Sequence, residues 1–220
     1  MTRKIFHHES GEVRRQELIA ATLECIARRG LQGATVREIA KAAGVTGGLI
    51  RHYFTSKELL LQAAYLELMD MMSAAAIKRA EEAGNCPRTR LKTFIVANFR
   101  APIVDPRILS LWATFIGQIH QDPSLAAIHR KSYLNYRNTL EELLASFFAD
   151  CGKSASQAEM RACAIAINGI IDGLWLEGCM ASDLFDEDEL AAIAISSAER
   201  ILRLPLDMPE AETTSRKENA

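Results

Sequence analysis

Cysteine is scarce and widely scattered in this chain of 220 residues: Cys25, Cys86, Cys151, Cys163 and Cys179. The count is odd and no C-x-x-C pair occurs, which argues against a disulfide framework or a zinc site. Reduced thiols in a cytoplasm are expected instead. Aromatic residues make up only 6% of the chain. No stretch alternates apolar and polar residues as a half-buried strand would, so the fold is expected to be all-α. The apolar run from Ala162 to Leu176 is interrupted by Asn168 and Asp172, which argues against a membrane span. The first residues carry charges and histidines but no apolar core of the kind a secretory leader needs.

Motifs of catalysis are missing as well. The sequence holds no H-E-x-x-H, no paired-carboxylate metal motif and no phosphate-cradling loop. His120 and His129 lie nine residues apart with Asp122-Pro123 between them, and Cys151 and Cys163, the available nucleophiles, sit in no recognisable setting. An all-α enzyme is the remote alternative. No catalytic residue, metal or cofactor is expected.

What is present is a globular composition, 49% hydrophobic with a mean hydropathy near zero, long enough for one or two domains with a sizeable core. Charge is unevenly spread. Residues 1–57 hold ten Lys/Arg against five Glu, a net of +5, which leaves −7 for the rest of a chain whose net charge is −2. A basic head on an acidic body is the electrostatic footprint of a nucleic-acid reader.

Within that head, Thr35 to Lys57 reads TVREIAKAAGVTGGLIRHYFTSK. Thr35 is a good N-cap with Glu38 three residues on, the capping-box spacing. Val36, Ile39, Ala40 and Ala43 recur on one helical face, and Gly44 stops the helix by taking the left-handed conformation. Thr46 caps a second short helix to about Phe54, with Leu49, Ile50 and Tyr53 available for packing. Two short helices across a glycine turn make a helix-turn-helix, whose second member is of a size to enter the DNA major groove. A preceding helix opens at Ser10 or Gly11, presents Leu18, Ala21, Thr22, Cys25 and Ile26, and ends at Gly30 after Arg28 and Arg29. Residues 1–9 form a polar arm.

The remaining punctuation predicts six more helices. A long fourth helix begins at Thr55 to Glu58 and runs to about Ala83, before the turn Gly84-Asn85-Cys86-Pro87. A fifth spans roughly Arg88 to Val104, with Ala101-Pro102 distorting its end. A sixth runs from Asp105-Pro106 to near His120, and a seventh from Asp122-Pro123 to about Asp150. Ser154 or Ser156 caps an eighth to about Met180, and Asp186 a ninth to Leu204. Residues 205–220 read as a disordered tail. The expected domains are therefore a head over 1–57, a body over 58–204 and that tail.

Ala40-x-x-Ala43-Gly44-Val45-Thr46, followed by Gly48, Phe54 and Lys57, resembles the DNA-binding domain of the TetR family. The narrower string VTGGLIRHYFTSK is similar to the BetI-type subgroup, whose members respond to choline. Two stretches of the body support the subgroup, Leu111-Trp112-Ala113-Thr114-Phe115 and Ile171-Asp172-Gly173-Leu174-Trp175-Leu176. Position 116 is Ile where the subgroup pattern has a second Trp, which puts choline recognition in question but not the fold. The resemblance covers most of residues 10–204. It implies a homodimeric repressor that binds a palindromic operator and is released by a small molecule. An unrelated effector or an activator is the alternative.

For DNA, the resemblance places Thr35, Arg37, Thr46, Tyr53 and Lys57 against phosphates, and Gly47, Arg51 and His52 near base edges. Arg51 could pair bidentately with guanine, and Gly47 with Gly48 would let the backbone approach closely. For the effector, the candidates are Phe94, Asn98, Trp112, Phe115, Tyr133, Tyr136, Asn168, Asp172 and Trp175. Aromatic faces and the Asp172 carboxylate suit a quaternary or related amine. The eighth and ninth helices are apolar most of the way round, so residues of about 155–203 are expected to pair with a second copy as a four-helix bundle.

Overall fold

A computed structural model describes residues 11–186 and 188–207; the predicted arm at 1–9 and most of the predicted tail lie outside that range. Among the described residues there are nine α-helices, one 3₁₀ turn and no strand. The helices are α1 (Gly11–Gly33), α2 (Val36–Ala42), α3 (Gly47–Phe54), α4 (Lys57–Glu82), α5 (Pro87–Ala97), α6 (Pro106–Ile116), α7 (Pro123–Asp150), α8 (Gln157–Met180) and α9 (Glu189–Leu202). The all-α expectation holds. The described residues form two compact units, one within 11–69 and 110–129, the other within 70–109 and 130–207. The α4, α6 and α7 helices each contribute to both.

In the first unit α1 buries Leu18, Ile19, Thr22, Leu23, Cys25 and Ile26, the i, i+4, i+7/i+8 face that its spacing calls for. The Thr22 hydroxyl donates to the Leu18 carbonyl at 2.7 Å, so its burial leaves no orphaned polar group. Gly30 interrupts α1 with φ 67 and ψ 174, as expected, and a short helical continuation reaches Gly33. Thr35 caps α2 by accepting the Glu38 N–H at 3.3 Å. The reciprocal half of the capping box is not used: the Thr35 N–H goes to the Gly33 carbonyl, and Glu38 pairs with Arg29 at 3.1 Å. Gly44 (φ 66) closes α2 with Val45 N–H on the Ala40 carbonyl and Gly44 N–H on that of Lys41, the paired bonds of a Schellman turn. Along α4, Leu60, Ala64, Tyr65 and Leu68 are buried in this unit.

The second unit is built on α5, α8 and α9, which pack together. Three expected boundaries move. The fifth helix stops at Ala97 rather than Val104, because Asn98 turns its amide back onto the Phe94 carbonyl at 2.8 Å and caps the end. The sixth stops at Ile116, with turns rather than helix up to His120. The ninth starts at Glu189, with Asp188 rather than Asp186 at the N-cap position and no side-chain capping bond from it. Ser156 starts α8 with a complete capping box, exchanging bonds with Glu159 in both directions. Tight contact of α8 and α9 depends on Gly178, where a Cβ would lie 2.7 Å from a Leu190 methyl.

Pro205 to Asp207, the described start of the predicted tail, are held in place. The Pro205 carbonyl accepts from Arg88, Leu206 is 2% exposed, and Asp207 pairs with Lys92. By length and apolar composition α4 and α8 pass as bilayer spans. In α8 that composition serves helix packing: Ala164, Ile167, Ile171 and Trp175 are buried inside the unit.

Candidate nucleic-acid interface and effector cluster

The α3 helix is divided cleanly by its own sequence. Ile50 (2% exposed) and Phe54 (5%) anchor it from within, and the Arg15 guanidinium covers the Phe54 ring at 5.2 Å. Leu49 and Tyr53 are half-buried on its flanks, whereas Gly48, Arg51 and His52 face solvent and Gly47 is half-covered. His52 meets Tyr53 edge-on at 5.2 Å. Thr46 is exposed at the N-cap and Lys57 is half-buried at the start of α4; Thr35 and Arg37 are exposed at the start of α2. All nine predicted DNA-contacting positions thus fall in one unit, on α2, α3 and their two flanks. Phe54 is core, as expected.

The two glycines of α3 are not demanded by packing. A Cβ on Gly47 would approach nothing closer than a Val36 methyl at 3.7 Å, and one on Gly48 nothing closer than Thr46 Oγ1 at 3.8 Å. Both are ordinary contacts. Glycine is a weaker helix former than alanine, and packing gives no reason for two of them in the first turn of α3.

The nine effector candidates are divided between the two units. Trp112 and Phe115 belong to the first unit. Phe115 is fully buried with its ring stacked on Tyr65 at 4.7 Å, so it is core there. The other seven lie in the second unit. Phe94 meets Tyr136 at 5.0 Å, and the Tyr136 hydroxyl donates to Asn98 Oδ1 at 3.0 Å. Asn168 donates to Asp172 Oδ2 at 2.8 Å. Tyr133 carries the Arg137 guanidinium at 5.6 Å. Trp175 is buried and its indole N–H is committed to the Ile103 carbonyl at 2.9 Å.

One electrostatic feature stands out in this group. The Asp172 residue has an exposed side, yet neighbouring protein atoms desolvate its carboxyl and push its pKa up; the Asn168 amide pulls only partly the other way. Its negative charge is also felt by Tyr136, whose hydroxyl is held well above its ordinary range, chiefly by burial. Asn98 and Asn168 are the buried amides of the unit. Sequence reading found this polar set, but had no means to separate it from Phe115 and Trp175, since all share helical spacing and only packing sorts them. It missed Tyr65, a residue that looks like any aromatic on a long helix.

Residues 18–64 match the family model for bacterial regulatory proteins of the tetR family, and residues 87–203 match that for the C-terminal part of BetI-type transcriptional repressors. The chain belongs to the TetR family, BetI type. It is 31% identical over 191 residues to the HTH-type transcriptional regulator BetI of Burkholderia mallei, covering 87% of this chain and 94% of that one. A crystal structure of a Pseudomonas aeruginosa PAO1 protein superposes with a TM-score of 0.80 at 31% identity, covering 90% of this chain and 94% of that one. A Saccharomonospora viridis protein, solved in complex with choline, shares the fold at a TM-score of 0.69 and 16% identity, covering 86% and 96%. This TetR-family chain is therefore a DNA-binding transcriptional regulator of the repressor type, not an enzyme.

Proposed function

We propose that the protein is a homodimeric cytoplasmic repressor that reads a palindromic operator with α3 and leaves it when an amine effector binds the second unit. The observation that carries this reading is α3 itself, anchored by Ile50 and Phe54 while Arg51, His52 and two glycines stay uncovered. Arg51, Gly47 and His52 take the base-reading role, while Thr35, Arg37, Thr46, Tyr53 and Lys57 hold phosphates. The glycines are kept because a bare backbone fits closely against the DNA. Gly48→Ala is accordingly expected to raise the melting temperature slightly and to weaken operator binding about tenfold or more. Paired thermal unfolding and operator titration check this; unchanged affinity would mean that the glycine has no such role.

Faces left open on α8 and α9 support the dimer reading. Ile165 (42% exposed), Leu176 (40%), Met180 (72%) and Ile193 (41%) are large apolar residues in water. Ala162, Ala166, Gly169 and Gly173 lie exposed among the first three of them on α8. Contiguous apolar surface of this kind marks an interface, and small residues let helices approach closely. Two copies would place two α3 helices for half-sites about 34–36 Å apart.

For the effector, the partly desolvated Asp172 carboxylate, whose charge reaches Tyr136, suits a cation with an apolar body. Choline is the first compound to try, given the subgroup. Ile116 in place of the subgroup's second Trp, with Phe115 and Trp175 already committed to core contacts, favours a different amine or an unrelated effector. The test is release of the protein from DNA upstream of its own gene by choline and a panel of amines. Asp172→Asn should raise the concentration needed for release by tenfold or more. Release that is indifferent to Asp172→Asn would remove the carboxylate from the site.

A further inference from the structure

Tyr65 is completely buried on α4, and its hydroxyl lies 2.9 Å from His129 Nδ1 at the start of α7. Its ring stacks on Phe115 of α6 at 4.7 Å with an interplanar angle of 22°, and lies nearly parallel to the His129 ring, 6.4 Å away. Three helices distant in sequence are thus joined through one side chain, within the unit that also holds α1, α2 and α3. The three residues sit close to where the chain passes between units. The α4 helix leaves the first unit after Met69, α6 enters it at Ser110, and α7 leaves it after His129 itself.

The polarity of the Tyr65–His129 bond follows from burial. Desolvation pushes the Tyr65 hydroxyl up to about 12, so it keeps its proton and can donate. Desolvation likewise lowers the His129 pKa and favours the neutral ring, and in the tautomer with its proton on Nε2 the bare Nδ1 accepts from the Tyr65 hydroxyl. A buried hydroxyl that loses its acceptor carries the full desolvation cost. The bond is therefore either made, with α4 and α7 in register, or broken at a cost. Together with the ring stack on Phe115, it ties the position of α4 to those of α6 and α7 within this unit. The α4 helix starts three residues after α3 ends.

We propose that the Tyr65–His129 hydrogen bond, with Phe115 under the Tyr65 ring, is the pin that holds α4 in its operator-competent position. Tyr65 and His129 act as positioning residues, through the placement of α4. This inference rests on the repressor reading above. Removing the bond releases α4 into conformations with wrongly placed heads, and operator affinity falls by the share of molecules so released.

The test uses the full chain and the promoter DNA of its own gene. Tyr65→Phe keeps the ring stack and removes the hydroxyl, and should lower operator affinity about tenfold with little change in melting temperature. His129→Leu should lower affinity to a similar extent and also lower the melting temperature, because it leaves the buried Tyr65 hydroxyl without its acceptor, and the double variant should bind operator no worse than either single one. His129→Asn, which offers an amide oxygen near the place of Nδ1, should restore affinity to within about twofold of wild type. Hydrogen exchange gives a readout without DNA: Tyr65→Phe should speed exchange in 57–69 and 110–129 while leaving 87–97 and 157–180 unchanged. Wild-type affinity and exchange in Tyr65→Phe would overturn the proposal. So would an affinity loss that tracks the melting temperature and is not rescued by His129→Asn, since that is the signature of a plain core residue. Failure of the wild-type protein to distinguish its promoter from random DNA would instead sink the repressor reading, and the pin with it.

Discussion

Replacing Arg51 and Lys57 together by alanine is expected to abolish specific operator binding, with affinity falling about a hundredfold or more. Arg51 is exposed on α3, three residues before the buried Phe54, and nothing in its surroundings needs it for folding. A bidentate arginine–guanine contact is worth about 1–3 kcal/mol of discrimination. Lys57, half-buried at the start of α4, contributes through a phosphate, so its loss should weaken binding on all sequences and lower the salt slope by about one. The two single variants should therefore differ in kind. Arg51→Ala narrows the gap between operator and random DNA, while Lys57→Ala lowers both curves. Titrations at several salt concentrations separate these effects, with circular dichroism and sedimentation confirming an intact fold and assembly. Operator binding by the double variant at the wild-type level would show that α3 does not read the DNA through these residues.

The second large effect is expected from the open faces of α8 and α9. Glutamate at both Leu176 and Ile193 would place two charges per chain in a desolvated four-helix contact, where unpaired charge is strongly penalised. Sedimentation should shift from about twice the chain mass to the 24.3 kDa of one chain, with helix content kept, because both positions are exposed in the single chain. Operator affinity should fall at least a hundredfold at the same time, since each chain then brings one head. A double variant that remains dimeric would place the interface elsewhere. One that dissociates yet binds the operator unchanged would break the link between dimerisation and DNA recognition.

How far these expectations were legible from residues alone varies with the physics of each element. The helix-turn-helix was readable because its determinants are local: Thr35 as a cap, Gly44 in the left-handed region, Ile50 and Phe54 spaced one turn apart. Capping and turn chemistry act within a few residues and leave their mark in the string. Boundaries set by tertiary packing were not readable. The order of Pro205 to Asp207 depends on Arg88 and Lys92, more than a hundred residues away. The same limit governs the effector candidates. Phe115 and Tyr136 look alike in sequence, as aromatics on amphipathic helices, but one stacks on Tyr65 and the other bonds Asn98. The capping box at Thr35 shows the limit at short range too, since Arg29 draws Glu38 away from its expected partner.

The central claim is that this chain reads one DNA sequence with a basic head carried on an acidic body. It is tested most directly by titrating the purified protein against DNA upstream of its own gene and against random DNA of equal length, at rising salt. At least a thousandfold preference for the promoter fragment is expected at physiological salt, with both affinities falling steeply as salt rises. Equal affinity for the two DNAs across the salt range would contradict it.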